Sequence, residues 1–202
     1  MKIFLIRHAN TKYNTMGVWQ GRSDLPLDEK GQKMAEALAF RFASENIERI
    51  ISSPLQRAIQ TAQKIAKVHG IQLTTDERII EADLSIWEGM RTENVLKKYG
   101  KIYEKWKTDP TFGTEGLEAF SSVYERVKNF FETLEINEDE NIVVVTHAIV
   151  IRAAVCYVMK LPLENFREFV LGTASVTTIL VQDNWWRILS LNDRSHLRGW
   201  IT

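Results

Sequence analysis

The chain alternates short apolar runs with longer stretches in which apolar residues recur at helical spacing. Three runs, at 2–6 (KIFLI), 47–52 (IERIIS) and 141–145 (NIVVV), are short and rich in β-branched residues, as buried strands are. The stretch at 27–46 places apolar residues three or four positions apart, which predicts an amphipathic helix. Strands that alternate with helices predict an α/β fold, a three-layer sandwich whose largely parallel central sheet is flanked by helices.

The next predicted helix, at 53–70, carries local signals at both ends. Ser53 suits the capping position, Pro54 suits the first helical position, and Gly70 suits the position after the last turn. A third strand is predicted at 71–76, directly after this helix.

The segment 91–118 differs in composition, because it is rich in Lys, Glu, Tyr and Trp. We expect short, partly exposed helical pieces here, forming a small helical cap inserted at the edge of the sheet. A longer helix is predicted at 118–134. Residues 1–202 are expected to form a single domain, with the cap as part of it.

The C-terminal part combines a buried helix with a hairpin. The apolar run at 147–160 predicts a helix buried on most sides, and Cys156 within it is expected to be buried. Strands at 175–182 and 186–192 flank Asp183-Asn184, a plausible hairpin turn. Trp185-Trp186, beside this turn, are candidates for a homodimer contact through the edge strands, with packing over the core as the alternative.

Net charge and cysteine content argue against nucleic-acid and membrane partners and bear on the cellular compartment. Lys+Arg and Asp+Glu are both 26, so the net charge is zero and no global field favours nucleic acid or an anionic membrane. Any anion site must therefore be local. One cysteine cannot form an intramolecular disulfide, and the first apolar run, broken by Arg7, is too short for a signal or membrane segment. These features favour a cytoplasmic protein.

Polar residues follow three predicted strands where each strand ends: Arg7-His8, Ser52-Ser53 with Arg57 one helical turn further, and Thr146-His147. Parallel pairing would bring these ends to one rim, where open α/β sheets bind their ligands. Arginine forks and helix N-termini both suit a phosphoryl group. Ala148 begins a helix at this rim, and Asn14 offers a further neutral donor.

A zinc site is the competing interpretation of the same rim. His8, His147 and a carboxylate are adequate zinc ligands. Two arginines in the same pocket would repel a dication, and no paired His or Cys spacing typical of zinc is present. We therefore expect neither a metal nor a cofactor.

At these positions the chain resembles the histidine phosphatase superfamily, the phosphoglycerate mutase-like proteins. The resemblance rests on LIRHANTKYN, SSPLQRAIQTA, ERIIEADLSIWEG, VVVTHAIVIR, GLEAFSSVYERV and LNDRSHL, which occur in this order over nearly the whole chain. It implies that His8 becomes a phosphohistidine and that Glu81 is the proton donor. It also implies that the phosphoryl group is held by Arg7, Arg57 and His147, with Asn14 as a further contact. From the residues alone, Asp83 rivals Glu81 for the proton donor.

The chain also departs from the family pattern at several positions. Ala9 and Ala148 replace glycines that usually follow the two histidines, Asn10 stands where an acid or glutamine is common, and Ser85 stands where glycine is frequent. The loop residues expected to contact substrate are Gln20, Gly21 and Arg22.

The resemblance favours a phosphatase, because only about thirty residues separate Glu88 from Glu118, whereas family mutases generally carry a longer insertion over the site. The spacing resembles small bacterial members that hydrolyse phosphoserine or α-ribazole phosphate. A phosphoglycerate mutase is the first alternative, and a non-catalytic phosphoprotein-binding module is the second. The expected partner is a small phosphorylated substrate.

Overall fold

A computed structural model describes residues 1–137, 139–183 and 185–199, and a six-stranded sheet lies at its centre. The strands are β1 (Lys2–Arg7), β2 (Arg49–Ser52), β3 (Thr74–Thr75), β4 (Ile142–Thr146), β5 (Val176–Gln182) and β6 (Trp185–Asp193). Their spatial order is β3-β2-β4-β1-β5-β6. The first four strands pair in parallel, whereas β5 and β6 run antiparallel. The α/β prediction is confirmed, with an antiparallel hairpin at one edge.

Helices cover both faces of this sheet. They are α1 (Lys12–Met16), α2 (Glu29–Phe42), α3 (Gln56–His69), α4 (Thr92–Thr108), α5 (Phe120–Glu132) and α6 (Ala148–Met159), with short 3-10 helices at Glu77–Ile79, Leu163–Arg167 and Ser195–Leu197. Successive side chains of a strand point to opposite faces. Thus Phe4 and Ile6 pack with residues of α2 and α3, whereas Ile3 and Leu5 pack with residues of α5 and α6.

The register of the parallel strands aligns their carboxyl ends. Arg7 lies opposite Thr146, and Ser52 lies opposite Val145. The backbone continues this alignment beyond the strands, because the amide of His8 donates to Thr146 O at 2.9 Å. The three predicted strand ends therefore meet at one rim.

Two local predictions at the second strand end are wrong. Helix α3 begins at Gln56, and Leu55 occupies the capping position without a side-chain cap. Ser53 and Pro54 therefore precede the helix: the hydroxyl of Ser53 lies 2.7 Å from Nε2 of His147 and accepts from the amide of Leu55 at 3.4 Å, before the first turn begins. The helix ends as predicted at Gly70, whose φ of 66° is in the left-handed region. The strand predicted at 71–76 is reduced to the two residues of β3.

The segment 91–118 contains the short, partly exposed helical pieces that its composition predicts. The backbone of Tyr99 is non-helical, so a kink there divides α4 into two short helices, most of whose residues are exposed or half-buried. Val95 and Trp106 bury one side of α4 in the core. Burial of these two side chains holds a helix that its charged composition alone would leave exposed.

The C-terminal elements follow their predictions closely. Cys156 is fully buried in α6, and the β5–β6 register pairs Gln182 with Trp185, as a tight hairpin requires. Asn184, the second predicted turn residue, lies outside the described residues. Trp185 is 66% exposed at the edge of the sheet, and its role in a homodimer stays a prediction. Within the described ranges, no helix is both long and apolar enough to span a membrane.

Candidate active site

A cavity of about 300 Å³ lies at the rim formed by the strand ends. Its walls include every predicted site residue except His147 and Arg22, namely Arg7, His8, Asn14, Gln20, Gly21, Arg57, Glu81 and Ala148. The fold therefore brings together at this cavity eight of the ten residues that the sequence assigned to the site.

His8 is the only titratable ring on the wall of this cavity within the described residues, and it is only 3% exposed. Its Nδ1 lies 2.7 Å from the carbonyl oxygen of Ala9. A carbonyl only accepts, so Nδ1 carries the proton and Nε2 keeps a free lone pair. Burial lowers the pKa of His8 well below 6.5, and the nearby charges of Arg57 and Arg7 lower it further. The ring is therefore neutral near pH 7, as a nucleophile must be.

His147 is fully buried beside His8, with 5.2 Å between the ring centroids. Its Nε2 lies 2.7 Å from Ser53 Oγ, while Nδ1 has no hydrogen-bond partner among the described residues. Burial, followed by the charge of Arg57, lowers its pKa well below 6.5. His147 is therefore a neutral ring that lies beside His8 behind the cavity wall, with one nitrogen that no described residue contacts.

Arg57 is 1% exposed and is aimed by the loop after α1. Its Nη1 donates to Ser23 O and its Nη2 to Gly21 O, both at 2.7 Å. With the amide of Gln20 oriented to satisfy both of its neighbours, its oxygen accepts from Arg57 Nε at 2.7 Å and its nitrogen donates to Thr11. Gln20 and Gly21 line the cavity, and they also fix this guanidinium.

Arg7 supplies the second cation beside His8. Its Nη1 donates to Leu171 O at 2.5 Å, and its Nε is buried without a partner in the described part of the chain. Burial lowers the pKa of Arg7 to about 10 and that of Arg57 to about 10, while Glu81 opposes both shifts. Both groups keep their charge at neutral pH, so this wall of the cavity is built for an anion.

Glu81 faces the same cavity and is 8% exposed. Burial raises its pKa, although the amide of Ala82 and the charges of Arg57 and Arg7 oppose this shift. A raised pKa favours the protonated form that a proton donor needs. Asp83 does not line the cavity, and its carboxylate accepts from the amide of Ser85 at 3.0 Å. Of the two acids that the sequence left open, only Glu81 lines the cavity; its role as the proton donor stays a prediction.

Arg22 lies away from the cavity wall and contacts the segment that carries Glu81. Its Nε donates to the backbone oxygen of Glu81 at 3.0 Å, and its Nη2 lies 3.1 Å from Glu118 Oε2. Glu118 also accepts from the amide of Asp83 at 3.0 Å and from Arg126 Nε at 3.0 Å. Sequence reasoning missed Glu118 and Arg126, whose contacts with this segment span tens of residues and leave no local pattern.

Glu88 is a second carboxylate that sequence reasoning missed. It accepts from the amide and hydroxyl of Ser23 at 3.0 and 2.5 Å and from the amide of Arg22 at 2.7 Å. Gly21 adopts a φ of 51°, and a Cβ there would lie 2.4 Å from Glu88 Oε1. Glu88 thus holds the loop 21–23 in place, and with it the two carbonyl oxygens that accept from Arg57.

The remaining predicted residues have distinct settings. Asn14 Oδ1 closes a capping box on Thr11, while its Nδ2 has no protein partner in the described ranges, so the amide remains available at the cavity. Ala148 is the first residue of α6, whose first-turn amides lack helical partners. Ala9 is fully buried, and its amide donates to Thr61 Oγ1. Asn10 points away to Asp28 and Thr15 rather than toward the phosphoryl position.

The donor set of the cavity suits an anion better than a metal ion. The described residues contain no group of three or more His, Cys, Asp or Glu placed to hold a metal. The two histidines and Glu81 share their surroundings with Arg7 and Arg57, which disfavour a dication electrostatically. Metal independence of the reaction itself stays a prediction.

Comparison with known proteins shows to which family this chain belongs. The model of the histidine phosphatase superfamily (branch 1) matches residues 3–194. Phosphoserine phosphatase 1 of Hydrogenobacter thermophilus is 36% identical over 199 residues, covering 98% of this chain and 94% of the relative. The probable phosphoglycerate mutase GpmB of Salmonella choleraesuis is 29% identical, covering 98% and 95%. A mycobacterial glucosyl-3-phosphoglycerate phosphatase structure superposes with a TM-score of 0.86 at 27% identity, covering 95% of this chain and 98% of that one. The chain belongs to the histidine phosphatase superfamily, branch 1.

Proposed function

We propose that this protein is a metal-independent phosphatase that hydrolyses a small phosphorylated metabolite through a phosphohistidine at His8. One observation carries the proposal: the free Nε2 of a neutral, buried imidazole lies in a cavity walled by two buried guanidinium groups. A neutral imidazole attacks phosphorus, and the guanidinium groups hold the oxygens of the group that is transferred.

The first step transfers the phosphoryl group to the enzyme. The lone pair of His8 Nε2 forms a bond to phosphorus as the ester P–O bond breaks. Arg7, Arg57 and His147 stabilise the charge on the phosphoryl oxygens, which is the main electrostatic demand of such a reaction. Glu81 donates its proton to the leaving alkoxide, a role supported by its buried position and raised pKa.

The second step returns the enzyme to its starting state. The carboxylate of Glu81 takes a proton from water, whose oxygen attacks phosphorus while the N–P bond breaks. Inorganic phosphate leaves, His8 regains its lone pair, and Glu81 is protonated again. The cavity therefore needs to admit water between the two steps.

Hydrolysis is favoured over the mutase alternative for two reasons. The insertion between Glu88 and Glu118 is short, so little chain is available to exclude water. The phosphoserine phosphatase relative is also more similar to this chain than the probable mutase, at 36% against 29% identity. A cytoplasmic location is part of this proposal, because the expected substrate is a small metabolite and the one cysteine is buried.

The experiment is phosphate release from p-nitrophenyl phosphate in EDTA, with wild type and His8→Ala compared. We expect release by wild type, and loss of both turnover and the acid-labile phosphoenzyme in the variant. His69→Ala removes a histidine at the end of α3, outside the cavity wall, and serves as the matched control. Near-normal turnover by His8→Ala would overturn the assignment. Binding of a phosphoprotein without any phosphate release by wild type would favour the binding module instead.

A further inference from the structure

Two guanidinium groups on the cavity wall, those of Arg152 and Arg167, have no role in the mechanism above. Arg152 follows Ala148 by one helical turn in α6, so both residues lie on the same side of that helix. Arg167 ends the 3-10 helix Leu163–Arg167. The sequence analysis gave neither residue a function.

Both arginines are held in place by the protein and still have unused donors. Arg152 Nε donates to Phe169 O at 3.1 Å, and no other nitrogen of its guanidinium has a hydrogen bond within the described residues. The guanidinium of Arg167 lies 4.5 Å from the ring centroid of Trp106 and 4.9 Å from that of Phe166. Its Nε and Nη2 are buried without hydrogen-bond partners among the described residues. A buried donor without an acceptor destabilises the folded protein, so its presence usually indicates a bound ligand or a functional role.

The positive charge on the cavity wall exceeds what the phosphoryl group of a simple monoester would neutralise. The described wall carries four arginines, Arg7, Arg57, Arg152 and Arg167, and one carboxyl group, that of Glu81. A phosphoryl dianion matches the pair beside His8. The charge of Arg152 is favoured by Glu81 and that of Arg167 by Glu104, but within the described residues neither carboxylate forms a hydrogen bond to these two guanidinium groups. An additional negative charge on the substrate would complement this second pair.

Arg152 and Arg167 are suited to a carboxylate in particular. A guanidinium presents its N–H groups in a plane and binds a carboxylate through two parallel hydrogen bonds. The cation–π contacts of Arg167 with Trp106 and Phe166 restrict its guanidinium, which limits the entropy lost when a ligand binds. The two subsites share one small cavity, so the carboxylate and the phosphate must belong to one small molecule.

We infer that Arg152 and Arg167 form a second anion subsite, which binds the carboxylate of a phosphorylated carboxylic acid while the phosphoryl group lies at His8. The inference rests on the proposed phosphatase function and names its substrate class. Binding at this subsite orients the ester bond toward His8 and discriminates against monoesters that lack the second charge.

Two substrates of nearly equal size test this inference, because 3-phosphoglycerate carries a carboxylate where glycerol 3-phosphate carries a hydroxymethyl group. We expect wild type to favour 3-phosphoglycerate at least about tenfold in kcat/KM. Arg152→Gln and Arg167→Gln should each lower this ratio about tenfold, in proportion to a lost charge-assisted hydrogen bond. Arg187→Gln, an exposed arginine on β6, is the matched control and should leave the ratio unchanged.

The outcomes separate this inference from the proposed function. Equal wild-type efficiency on the two substrates, together with release from p-nitrophenyl phosphate, overturns the subsite and leaves the phosphatase intact. Arginine variants that lose activity on both substrates equally show a purely structural role and also overturn it. The absence of release from every monoester overturns the phosphatase proposal and the subsite with it. Partial recovery of the ratio in Arg167→Lys, which keeps the charge without the planar fork, supports the subsite.

Discussion

Replacing Glu118 by glutamine tests whether the segment that carries Glu81 is held by a buried carboxylate. Glu118 accepts from the amide of Asp83, from Arg22 and from Arg126, so it joins three separate parts of the chain. Glutamine has nearly the same shape, but its amide nitrogen would face a donor where one carboxylate oxygen now accepts. The change removes the negative charge and keeps the volume.

The cost follows from how deeply each contact is buried. The side chains of Glu118 and Arg126 are 15% and 17% exposed, whereas that of Arg22 is 42% exposed. Water replaces the contact to Arg22 at little cost, because exposed ion pairs contribute about 0–1 kcal/mol. Leaving a buried partner unpaired costs about 3–5 kcal/mol, and Arg126 keeps one bond to Arg78 O. We therefore expect a destabilisation of about 3 kcal/mol.

Urea unfolding measures this loss directly. With a slope of about 2 kcal/mol per molar urea, the midpoint should fall by about 1.5 M. Displacement of Glu81 should also lower kcat/KM for an alkyl phosphate about 10- to 100-fold, since small misplacements of a catalytic group cost that much. The kcat/KM of p-nitrophenyl phosphate should fall less, because this parameter reports the steps up to phosphoryl transfer and its leaving group departs without a proton. Glu81→Gln should reproduce this dependence on the leaving group without the loss of stability.

Glu125→Gln is the matched control, because Glu125 is an exposed neighbour of Arg126 on the same helix. Its unfolding midpoint and turnover should match those of wild type. A Glu118→Gln protein whose midpoint stays within experimental error of wild type would refute the argument from burial. Equal losses on the two substrates would refute the link from Glu118 to Glu81.

Two further predictions concern pH and backbone packing. Burial, Arg57 and Arg7 hold the pKa of His8 below 6.5, so kcat/KM for p-nitrophenyl phosphate, which reports the free enzyme up to phosphoryl transfer, should keep its plateau as pH falls through 6.5. An acid limb in kcat/KM centred there would contradict this electrostatic account. With an alkyl phosphate, kcat should fall as pH rises through the raised pKa of Glu81, because the proton donor is lost. Gly31→Ala should destabilise the protein by about 2 kcal/mol in urea unfolding, because a Cβ there would lie 2.0 Å from Asn10 O and this overlap outweighs the helix preference of alanine. Gly100→Ala is its control, since nothing lies within 4 Å of a Cβ at that position of α4. The free energy of unfolding should rise there by about 0.5–1 kcal/mol. Equal effects at the two sites would contradict the packing argument.

The sequence predicts which residues meet at the rim of the sheet, because local patterns place them. Apolar runs identify the strands, parallel pairing aligns their ends, and the residues after each end then meet without further information. Arg7, His8 and Arg57 are found in this way. The same logic places the third strand end at His147.

The supporting carboxylates could not be predicted, because their contacts depend on tertiary structure. Glu88 contacts a loop 65 residues earlier in the chain, and Glu118 contacts Asp83 across 35 residues. Tertiary contact also overrides a local signal at Ser53, whose hydroxyl contacts His147 instead of capping α3. Residues that position others leave no trace in local spacing.

The walls of the cavity come from two sources in the chain. Arg7, His8 and Arg57 lie at or just after strands of the central sheet, whereas Trp106 and Arg167 come from helices that lie after or between those strands. Mutations in these outer helices can alter which ester fits without disturbing the groups that break it. Substitutions in these helices can therefore change substrate preference, in evolution or by design, while the catalytic residues stay the same.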